Sequence, residues 1–313
     1  MSTTPLVAPH QLSTENRNLF RWGPTHIVPD RHLHGRNLVH LDANALTLRD
    51  LQSTADYRAC CDLQRATWGV RFADLVTPTM LMIAQKVGGI AAGAFDAAGE
   101  MVGFVFGITG WREGAPYHWS HMLAVRADWQ NLGAGARLKQ FQRASLLEAS
   151  VPLMAWTFDP LVARNAHLNL VRLGARVQEY VRDLYEPDPY NVMDSVIGTD
   201  RFVVEWKLAG VAPPPMDPFD AADDRPVVEA EVRKGVAHPR VGDFATFPSV
   251  RIEIPEDIHA LKKKHKEVAI SWRLATREAF LWYTNRDYSV IGLVGDATSN
   301  RRFYRLKAPG KIS

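Results

Sequence analysis

The segment HWSHMLAVRADWQNLGAGARLKQFQRASLLEAS, residues 118–150, predicts an apolar strand, a glycine-rich turn and a long helix in direct succession. The first N–H groups of a helix lack intrahelical acceptors, and the helix dipole leaves partial positive charge beside them. Small residues occupy the turn: Gly133, Ala134, Gly135 and Ala136. An anion such as pyrophosphate can therefore approach these N–H groups, and Gln130 can add a side-chain donor. A simple strand-to-helix turn explains the same residues, so their position in the fold decides between the two interpretations.

Hydrophobic periodicity predicts the order β-α-β-β-β-α-β-α-β-β over residues 45–208. Two of the predicted strands are the apolar runs MLMIAQKVGG and MVGFVFGITG, with AFDAAGE as a turn between them. Strands and helices mixed along the chain indicate an α/β protein with a mixed sheet. The glycine-rich turn follows a central strand, which favours anion binding. A Rossmann unit fits less well because the turn does not follow the first strand, and a P-loop lacks its Gly-Lys-Ser/Thr end.

The 313 residues divide by composition into four predicted regions. Residues 1–43 mix Pro, His, Arg and Asn without a period, which is typical of an arm. A main domain follows at 44–208, and a linker rich in Pro and Asp at 209–226. Residues 227–313 form a smaller αβ extension, in which residues 255–287 are predicted as one long helix. A helix followed by two strands ends both the main domain and the extension, which raises the hypothesis of an internal duplication.

Charge and cysteine content limit the partners and the compartment. The 37 basic and 34 acidic side chains leave a net charge of +3, so nothing demands a nucleic acid as partner. Cys60 and Cys61 are adjacent, where neither a structural disulfide nor a metal cluster is expected. The first residues contain no apolar leader, and no run of about 18 apolar residues occurs. We therefore expect a soluble cytoplasmic protein with no metal and no membrane partner.

The segment VRADWQNLGAGARL resembles the Gln/Arg-x-x-Gly-x-Gly/Ala signature of the GNAT superfamily, the acyl-CoA-dependent N-acyltransferases, with Gln130, Gly133 and Gly135 at the motif positions. The segment RNAHLNLVRLGA resembles the helix that follows the fifth strand in that superfamily. The resemblance covers roughly residues 44–208. It implies a GNAT-like fold: a splayed central mixed sheet flanked by helices, followed here by the smaller C-terminal αβ extension. The long form resembles a bacterial subgroup associated with N-succinylation of amino acids.

In this superfamily the fourth and fifth strands splay apart, and the pantetheine arm of the acyl-CoA co-substrate adds between them like a short strand. Carried over to this sequence, the resemblance implies these pantetheine neighbours: Leu123, Ala124 and Val125. It also implies that the loop from Leu132 to Ala136 surrounds the pyrophosphate. Asn165 is then either a polar contact near the pantetheine or a residue serving local hydrogen bonds at a helix start. No motif distinguishes acetyl-CoA from succinyl-CoA.

Acyl transfer to an amine requires a neutral nucleophile, so a base must accept a proton from the ammonium group. Histidine has a suitable pKa. The strand HWSHMLAV resembles the His-x-His-x-Leu-Ala-Val strand of arylalkylamine N-acetyltransferases, with the second histidine at His121. Alternation along this strand puts His121 on one face with Leu123 and Val125, and His118 on the opposite face. We predict His121 as the base or the water-orienting group; a satisfied core histidine is the alternative, and His118 is the second choice.

Many GNAT enzymes protonate the departing thiolate with a tyrosine four residues before the glycine that ends the RLGA-type motif. Counting back from Gly174 reaches Leu170, so this sequence departs from the family pattern. Tyr180, Tyr185 or Asn169 can substitute for that tyrosine. Alternatively the thiolate leaves without an acid, because a thiol is already a good leaving group.

Four other features have two interpretations each. Asp159 lies either at the cofactor groove or in a turn that starts a helix. Arg164 either meets a carboxylate of a substrate or is a solvated helix residue. The run KKKHK, residues 262–266, either reaches the adenosine phosphate of CoA or forms a solvated helix face. The apolar stripe of the same helix packs either on the main sheet or on a second subunit of a homodimer.

Together these observations predict an enzyme that transfers an acetyl or succinyl group from acyl-CoA to the primary amine of a small molecule, such as an amino acid, by direct attack. A non-catalytic CoA-binding or regulatory module is the alternative, which the missing tyrosine and the C-terminal extension would fit. Acyl-CoA and a small-molecule amine are the predicted ligands.

Overall fold

The computed structural model describes residues 46–187, 196–210, 224–295 and 301–310. The predicted arm lies outside these ranges, as does most of the predicted linker. Among the described residues no helix combines the length and the apolar character needed to cross a membrane.

Seven strands of the described residues form a mixed sheet in the order β1-β2-β3-β4-β5-β7-β6. Its strands are β1 (Thr47–Asp50), β2 (Ile90–Phe95), β3 (Met101–Arg112), β4 (Ala115–Val125), β5 (Leu153–Phe158), β6 (Arg176–Val181) and β7 (Arg201–Lys207). Neighbouring strands are antiparallel except β4 and β5, which are parallel. The predicted fold class, a mixed α/β sheet, is confirmed.

Helices cover both faces of this first sheet. They are α1 (Thr54–Trp68), α2 (Pro78–Lys86), α3 (Ala134–Glu148) and α4 (Ala163–Ala166, continued as a π-helical turn over His167–Arg172). The apolar sides of α1 and α2 pack with Phe104 and Phe106 of β3. The apolar side of α3 packs with Val105, which points to the opposite face because side chains alternate along a strand. It also packs with Val102, which a register shift in the β2–β3 ladder turns to the same face as Val105.

Two predictions for residues 80–95 are wrong. The run MLMIAQKVGG is not a strand but lies mostly in α2. Two residues mark the start of this helix: Thr77 accepts a hydrogen bond from the Met80 N–H at 3.4 Å, and Pro78 lies in the first turn. The strand in this region is β2, in the sequence IAAGAF, which overlaps the predicted turn. Its small residues are buried between β1 and β3, where tertiary packing outweighs local strand preference.

The C-terminal residues form a second sheet of five strands in the order β11-β12-β10-β8-β9. Its described elements are β8 (Arg225–Arg233), β9 (Val236–Val241), β10 (Ser249–Ile254), α5 (Ile258–Lys264), α6 (Lys266–Thr284), β11 (Ser289–Gly295) and β12 (Arg302–Lys307). The predicted single long helix is wrong, because the backbone leaves the helical region at His265 (φ −143°, ψ 65°) and α5 ends there. The last two predicted strands are present.

Helix α6 joins the two sheets through their aromatic residues. The Phe280 ring lies 4.9 Å from Phe202 of the first sheet and 5.4 Å from Tyr304 of the second, measured between centroids. The apolar stripe of this helix, including the fully buried Trp272, is covered by its own chain. The described structure therefore places the stripe on the sheets, one of the two predicted alternatives.

One arrangement of elements occurs twice. In the first sheet β5, α4, β6 and β7 place their strands in the order β5-β7-β6, all antiparallel. In the second sheet β10, the two helices, β11 and β12 give the order β10-β12-β11, also antiparallel. Each unit has a parallel neighbour, β4 in one and β8 in the other. This shared topology fits the hypothesis of an internal duplication, although β8 leads directly into the hairpin strand β9 and not into a helix like α3.

Candidate functional site

Strands β4 and β5 are paired over only a short distance. Their ladder consists of His118 opposite Met154 and Trp119 opposite Ala155. Beyond Trp119 both strands continue without pairing to each other, so an opening forms between residues 120–125 of β4 and 156–158 of β5. We call this opening the wedge. A parallel pair that separates in this way leaves backbone groups free to bond a third extended chain.

The backbone groups that face the wedge follow from the β3–β4 ladder. The Arg126 N–H donates to the Val102 carbonyl at 2.8 Å. Because hydrogen-bonded positions alternate along an antiparallel pair, Ala124 also bonds toward β3, opposite Phe104, whereas Leu123 and Val125 direct their backbone groups toward the wedge. The structure thus brings two of the three predicted pantetheine residues to the wedge through their backbone. The buried side chain of Ala124 packs on the α1 and α2 side.

A β-bulge separates His121 from these residues. Phe106 is opposite Met122 and Gly107 is opposite Ser120, so His121 is an extra residue in β4. The expectation that His121 shares a face with Leu123 and Val125, and that His118 lies on the other face, is wrong because a bulge shifts the alternation by one residue. His118 contacts Gln142 of α3 and so lies on the face of Leu123 and Val125. His121 lies on the α1 and α2 side, where its exposed ring meets Phe106 edge-on at 6.1 Å.

The turn before α3 presents unpaired backbone donors. In the described part of the chain, no acceptor is found for the N–H groups of residues 131–136, and no side chain caps the helix. Gly133 (φ 88°) and Asn131 (φ 65°) both have left-handed backbone conformations. Positive φ at alternate residues curves the backbone so that successive N–H groups converge, which suits an anion. Leu132, between them, is 53% exposed.

The glycine at the second helical position faces the wedge. A Cβ built on Gly135 would lie 3.6 Å from Leu123 Cδ2, 3.9 Å from Val125 Cγ2 and 3.9 Å from Leu168 Cδ2. These distances are ordinary van der Waals contacts, so protein packing alone does not require glycine here. A side chain at this position would instead occupy the space between β4, α3 and α4. A diphosphate bonded to the N–H groups of the turn would need that space.

Gln130 is engaged by protein atoms on both ends of its amide. Its Nε2 donates to the Val125 carbonyl at 3.1 Å, and its Oε1 accepts from Arg164 Nη1 at 2.8 Å. The side chain therefore connects β4 to α4 across the wedge, and its donor is used within the protein. The Arg164 guanidinium thus lies against the Gln130 amide, and Gln130 directly precedes the residues with unpaired N–H groups. Asn165, half-buried on the same helix, donates its backbone N–H to the Val162 carbonyl.

A chain of polar side chains is buried between β4 and α3. Ser120 Oγ donates to Gln142 Oε1 at 2.8 Å, Gln142 Nε2 lies 3.0 Å from His118 Nε2, and His118 Nδ1 lies 2.8 Å from Thr109 Oγ1. Thr109 donates onward to the Gly88 carbonyl, so His118 Nδ1 carries the proton and Nε2 accepts. Burial and Lys139 lower the pKa of His118 to about 3. His118 is therefore a neutral structural residue and not an accessible base.

Lys139 begins this chain at the apex of the wedge. Its Nζ donates to Ser120 Oγ at 2.7 Å and lies 3.9 Å from the centre of the Trp156 ring. Ser120 and Trp156 are the first residues beyond the last β4–β5 pair. Lys139 is 4% exposed, and burial holds its pKa well below the ordinary value of 10.5. No sequence motif pointed to Lys139, although polar residues at the buried positions of α3 are a usable signal.

The environment of His121 suits a proton acceptor. Desolvation lowers the pKa of His121, and the nearby Asp74 carboxylate partly opposes this. The net direction keeps the imidazole neutral at pH 7. Because the side chain is exposed at the bulge, it is open to a solute on the α1 and α2 side.

The substitutes suggested for the missing tyrosine all have other partners. Tyr180 is buried and donates to Asp200, and burial raises its pKa further beyond its ordinary range. Asn169 accepts from Trp156 Nε1 at 3.2 Å, and the Tyr185 hydroxyl lies 3.0 Å from Thr157 Oγ1. Leu170 is half-buried and packs against the core. Asp159 Oδ1 accepts from the Leu161 N–H at 2.9 Å, so the predicted turn at Asp159 is confirmed.

No family model and no curated protein matches the chain. Solved structures do resemble it in fold. A GNAT superfamily phosphinothricin acetyltransferase from Sinorhizobium meliloti in complex with acetyl-CoA is 16% identical, with a TM-score of 0.42, over 55% of this chain and 94% of that chain. An aminoglycoside 6'-N-acetyltransferase complexed with coenzyme A is 14% identical, with a TM-score of 0.40, over 53% of this chain and 99% of that chain.

An N-acetyltransferase from Staphylococcus aureus is 13% identical, with a TM-score of 0.41, over 52% of this chain and 99% of that chain. Each of these similarities covers about half of the chain and nearly all of the other protein.

Proposed function

We propose that this protein is an N-acyltransferase that moves an acyl group from acyl-CoA to the primary amine of a small molecule. The observation that carries the proposal is the combination of unpaired N–H groups at residues 131–136 with a wedge beside them. The turn binds the pyrophosphate, and the backbone groups of Leu123, with the N–H of Val125, bond the pantetheine as an added strand; the Val125 carbonyl is already bonded to Gln130. Gly133 and Gly135 leave room for the phosphates, and Arg164 adds a positive charge.

The same geometry positions the thioester. An extended pantetheine paired with Leu123 would run toward the apex of the wedge, where Trp119 and Ala155 end the ladder. Backbone N–H groups directed into a dry opening stabilise negative charge that develops on the carbonyl oxygen during attack. Holding amine and thioester together supplies a large part of the rate.

His121 is the proposed base. Its exposed neutral imidazole accepts a proton from the substrate ammonium, directly or through water, and the amine then attacks the carbonyl carbon while the carbon–sulfur bond breaks. The second N–H proton, which is lost as the neutral amide forms, goes to the departing thiolate or to solvent. We assign no acid to the departing sulfur, because Tyr180 and Asn169 are committed to Asp200 and Trp156. A thiolate is a stable enough leaving group to depart without one.

The test is thiol release from acetyl-CoA and succinyl-CoA with a panel of amines that includes hydrophobic L- and D-amino acids. We expect release that requires an amine. His121→Ala should lower kcat by about 100-fold and remove the acidic limb of the pH profile, as expected for loss of a general base. His238→Ala, which removes a histidine of β9 in the second sheet, is the matched control and should leave both unchanged. A His121→Ala enzyme with the wild-type rate and pH profile would reject the base assignment.

A non-catalytic CoA-binding module is the second candidate. This candidate is favoured because the usual tyrosine position holds Leu170, and because Tyr180 and Tyr185 are already hydrogen-bonded to other residues. Tight CoA binding without turnover across the amine panel would select this candidate over the enzyme.

A further inference from the structure

The turn at residues 159–161 connects the two elements on one side of the wedge. It follows β5, which borders the wedge, and it precedes α4, which carries Arg164 and Leu168 toward the turn before α3. A shift of this turn would therefore move α4 relative to β4 and change the width of the wedge. The contacts that hold the turn matter for any ligand that enters there.

Two residues from the C-terminal part of the chain hold this turn. Arg273 of α6 donates through Nη2 to Asp159 Oδ2 at 2.7 Å, and its side chain is 1% exposed. The other oxygen of Asp159 accepts the Leu161 N–H. Tyr304 of β12, fully buried, donates its hydroxyl to the Pro160 carbonyl at 2.8 Å. Each residue of the turn thus has a bond that fixes it.

The ion pair between Arg273 and Asp159 is strengthened because both side chains are largely shielded from water. Burial alone would raise the pKa of Asp159, but the charges of Arg273 and Arg201 hold it below its ordinary value, so the carboxylate stays ionised. Breaking one partner of a buried pair leaves the other charge uncompensated, so the pair resists displacement. A carboxylate that is bound on both oxygens permits little rotation of the turn.

We propose that Arg273 and Tyr304 are positioning residues for the wedge: they fix the turn at residues 159–161 and thereby hold α4 at the distance from β4 that acyl-CoA binding requires. This inference rests on the proposed function for its ligand. Through these two residues the C-terminal extension would influence the affinity for acyl-CoA without contacting the ligand.

The experiment compares variants that remove contacts to the turn at residues 159–161 with a variant that removes a contact between α6 and another part of the first sheet. Arg273→Gln and Tyr304→Phe act on the turn. Arg277→Gln is the matched control, because Arg277 lies one helical turn further along α6 and donates to Asp200 at 2.8 Å, away from the wedge. Arg273→Lys keeps the charge and is the rescue variant. Each full-length protein is measured by thermal unfolding, by calorimetric titration with CoA, and by amide hydrogen exchange of residues 159–172.

We expect Arg273→Gln to weaken CoA binding at least 10-fold, Tyr304→Phe about 3-fold, and Arg273→Lys less than Arg273→Gln. Exchange of the α4 amides should accelerate in the same order. Arg277→Gln should lower the unfolding temperature without changing CoA affinity or exchange at α4. If Arg273→Gln does not fold, Tyr304→Phe decides by the same readouts.

Unchanged amide exchange at α4 in both turn variants would overturn the inference. So would an Arg277→Gln protein that loses as much CoA affinity as Arg273→Gln when the two variants lose the same unfolding temperature. Failure of the wild-type protein to bind CoA is a separate result. It would reject the proposed function and the ligand part of this inference, while the exchange measurement would still decide whether Arg273 and Tyr304 position α4.

Discussion

At the scale of single residues, the buried chain from Lys139 to Thr109 is the feature that departs most from a simple apolar core. Each link has one donor and one acceptor, so the chain fixes the His118 tautomer without a charged partner. In the described residues Lys139 has no carboxylate partner, and desolvation is the sole cause of its lowered pKa. Burial without a counter-charge disfavours the charged form of the amine, and this cost falls on the stability of the fold.

Replacement of Lys139 by methionine should stabilise the protein at pH 7. Burial lowers the pKa of Lys139 in the folded chain below its ordinary 10.5, so wild-type stability rises with pH between the folded and the unfolded pKa, by at most about 1.4 kcal/mol per pH unit. The advantage of Lys139→Met in urea unfolding should therefore shrink as the pH is raised toward 10.5. Lys86→Met, at an exposed position, controls for the loss of a lysine. An advantage that does not vary with pH would contradict the lowered pKa of Lys139.

His118 should make the protein sensitive to acid. Its pKa is about 3 in the folded chain and 6.5 ordinarily, so the unfolded state gains a proton that the folded state refuses as pH falls below 6.5. The corresponding loss of stability is on the order of 4 kcal/mol between pH 6.5 and pH 3. Urea unfolding of wild type and His118→Gln at pH 7, 6 and 5 measures this. A parallel decline in both proteins would show that His118 is not the group responsible.

At the scale of secondary structure, the bulge in β4 decides which side chains meet. It sends His121 to the α1 and α2 side and returns Leu123 and Val125 to the α3 side. No residue of β4 itself signals the extra residue. The only related sequence feature is Gly107 on the partner strand, because a glycine within a strand often accompanies a bulge. The faces of the strand could therefore not be assigned from alternation alone.

Gly107→Ala tests this geometry. A Cβ there would lie 2.7 Å from the Trp119 carbonyl oxygen and would overlap the His118 ring. Neither group can move without breaking the strand pairing or the buried polar chain, so we expect a loss of about 3 kcal/mol or more. Gly110→Ala, on the same strand, meets nothing within 4 Å and should change stability by less than about 1 kcal/mol. Equal stability of the two variants in urea unfolding would refute the bulge assignment.

The elements that the sequence predicts well are those with strong local signals. β3, β4 and α3 have long regular patterns, and the glycine-rich turn lies at the predicted start of α3. The prediction fails where packing decides: α2 has the composition of a strand but is capped by Thr77, and β2 is built from small residues that need neighbours on both sides. The wedge itself is a relation between strands, which only the resemblance to a known family anticipates.

At the scale of the whole molecule, the two sheets share one core. Phe202, Phe280 and Tyr304 contact one another across the sheets and are fully buried. The predicted boundaries at 44–208, 209–226 and 227–313 remain predictions of chain organisation. The packing indicates that the main sheet depends on the extension for part of its buried surface.

A chain that ends at residue 210 should therefore fail to fold cooperatively. It would expose the aromatic residues of β6 and β7 and leave Asp159 and Asp200 without their arginine partners. Near-UV circular dichroism and thermal unfolding are the measurements, with the full-length protein as control. A cooperative transition in the shortened chain would show that the main sheet is an independent domain.

The second sheet also contains a parallel strand pair, β8 and β10, but a side chain fills the space where these two strands separate. Strands β8 and β10 pair from Arg225 to Val228, and beyond this the Glu253 carboxylate accepts the Ala230 N–H at 2.7 Å and pairs with Arg301. A side chain therefore occupies the position that is open in the first sheet. We accordingly expect a single ligand site per chain, in the wedge between β4 and β5.

Calorimetric titration of CoA into the wild-type protein and into Gly135→Val tests the central claim most directly. We predict that the wild type binds one CoA per chain. The valine side chain should weaken binding by at least about 100-fold, or about 3 kcal/mol. Its Cβ makes only ordinary contacts, and an unfolding midpoint close to that of the wild type is the control that the fold of the variant is intact. No binding by the wild type, or equal affinity of the two proteins, would contradict the account.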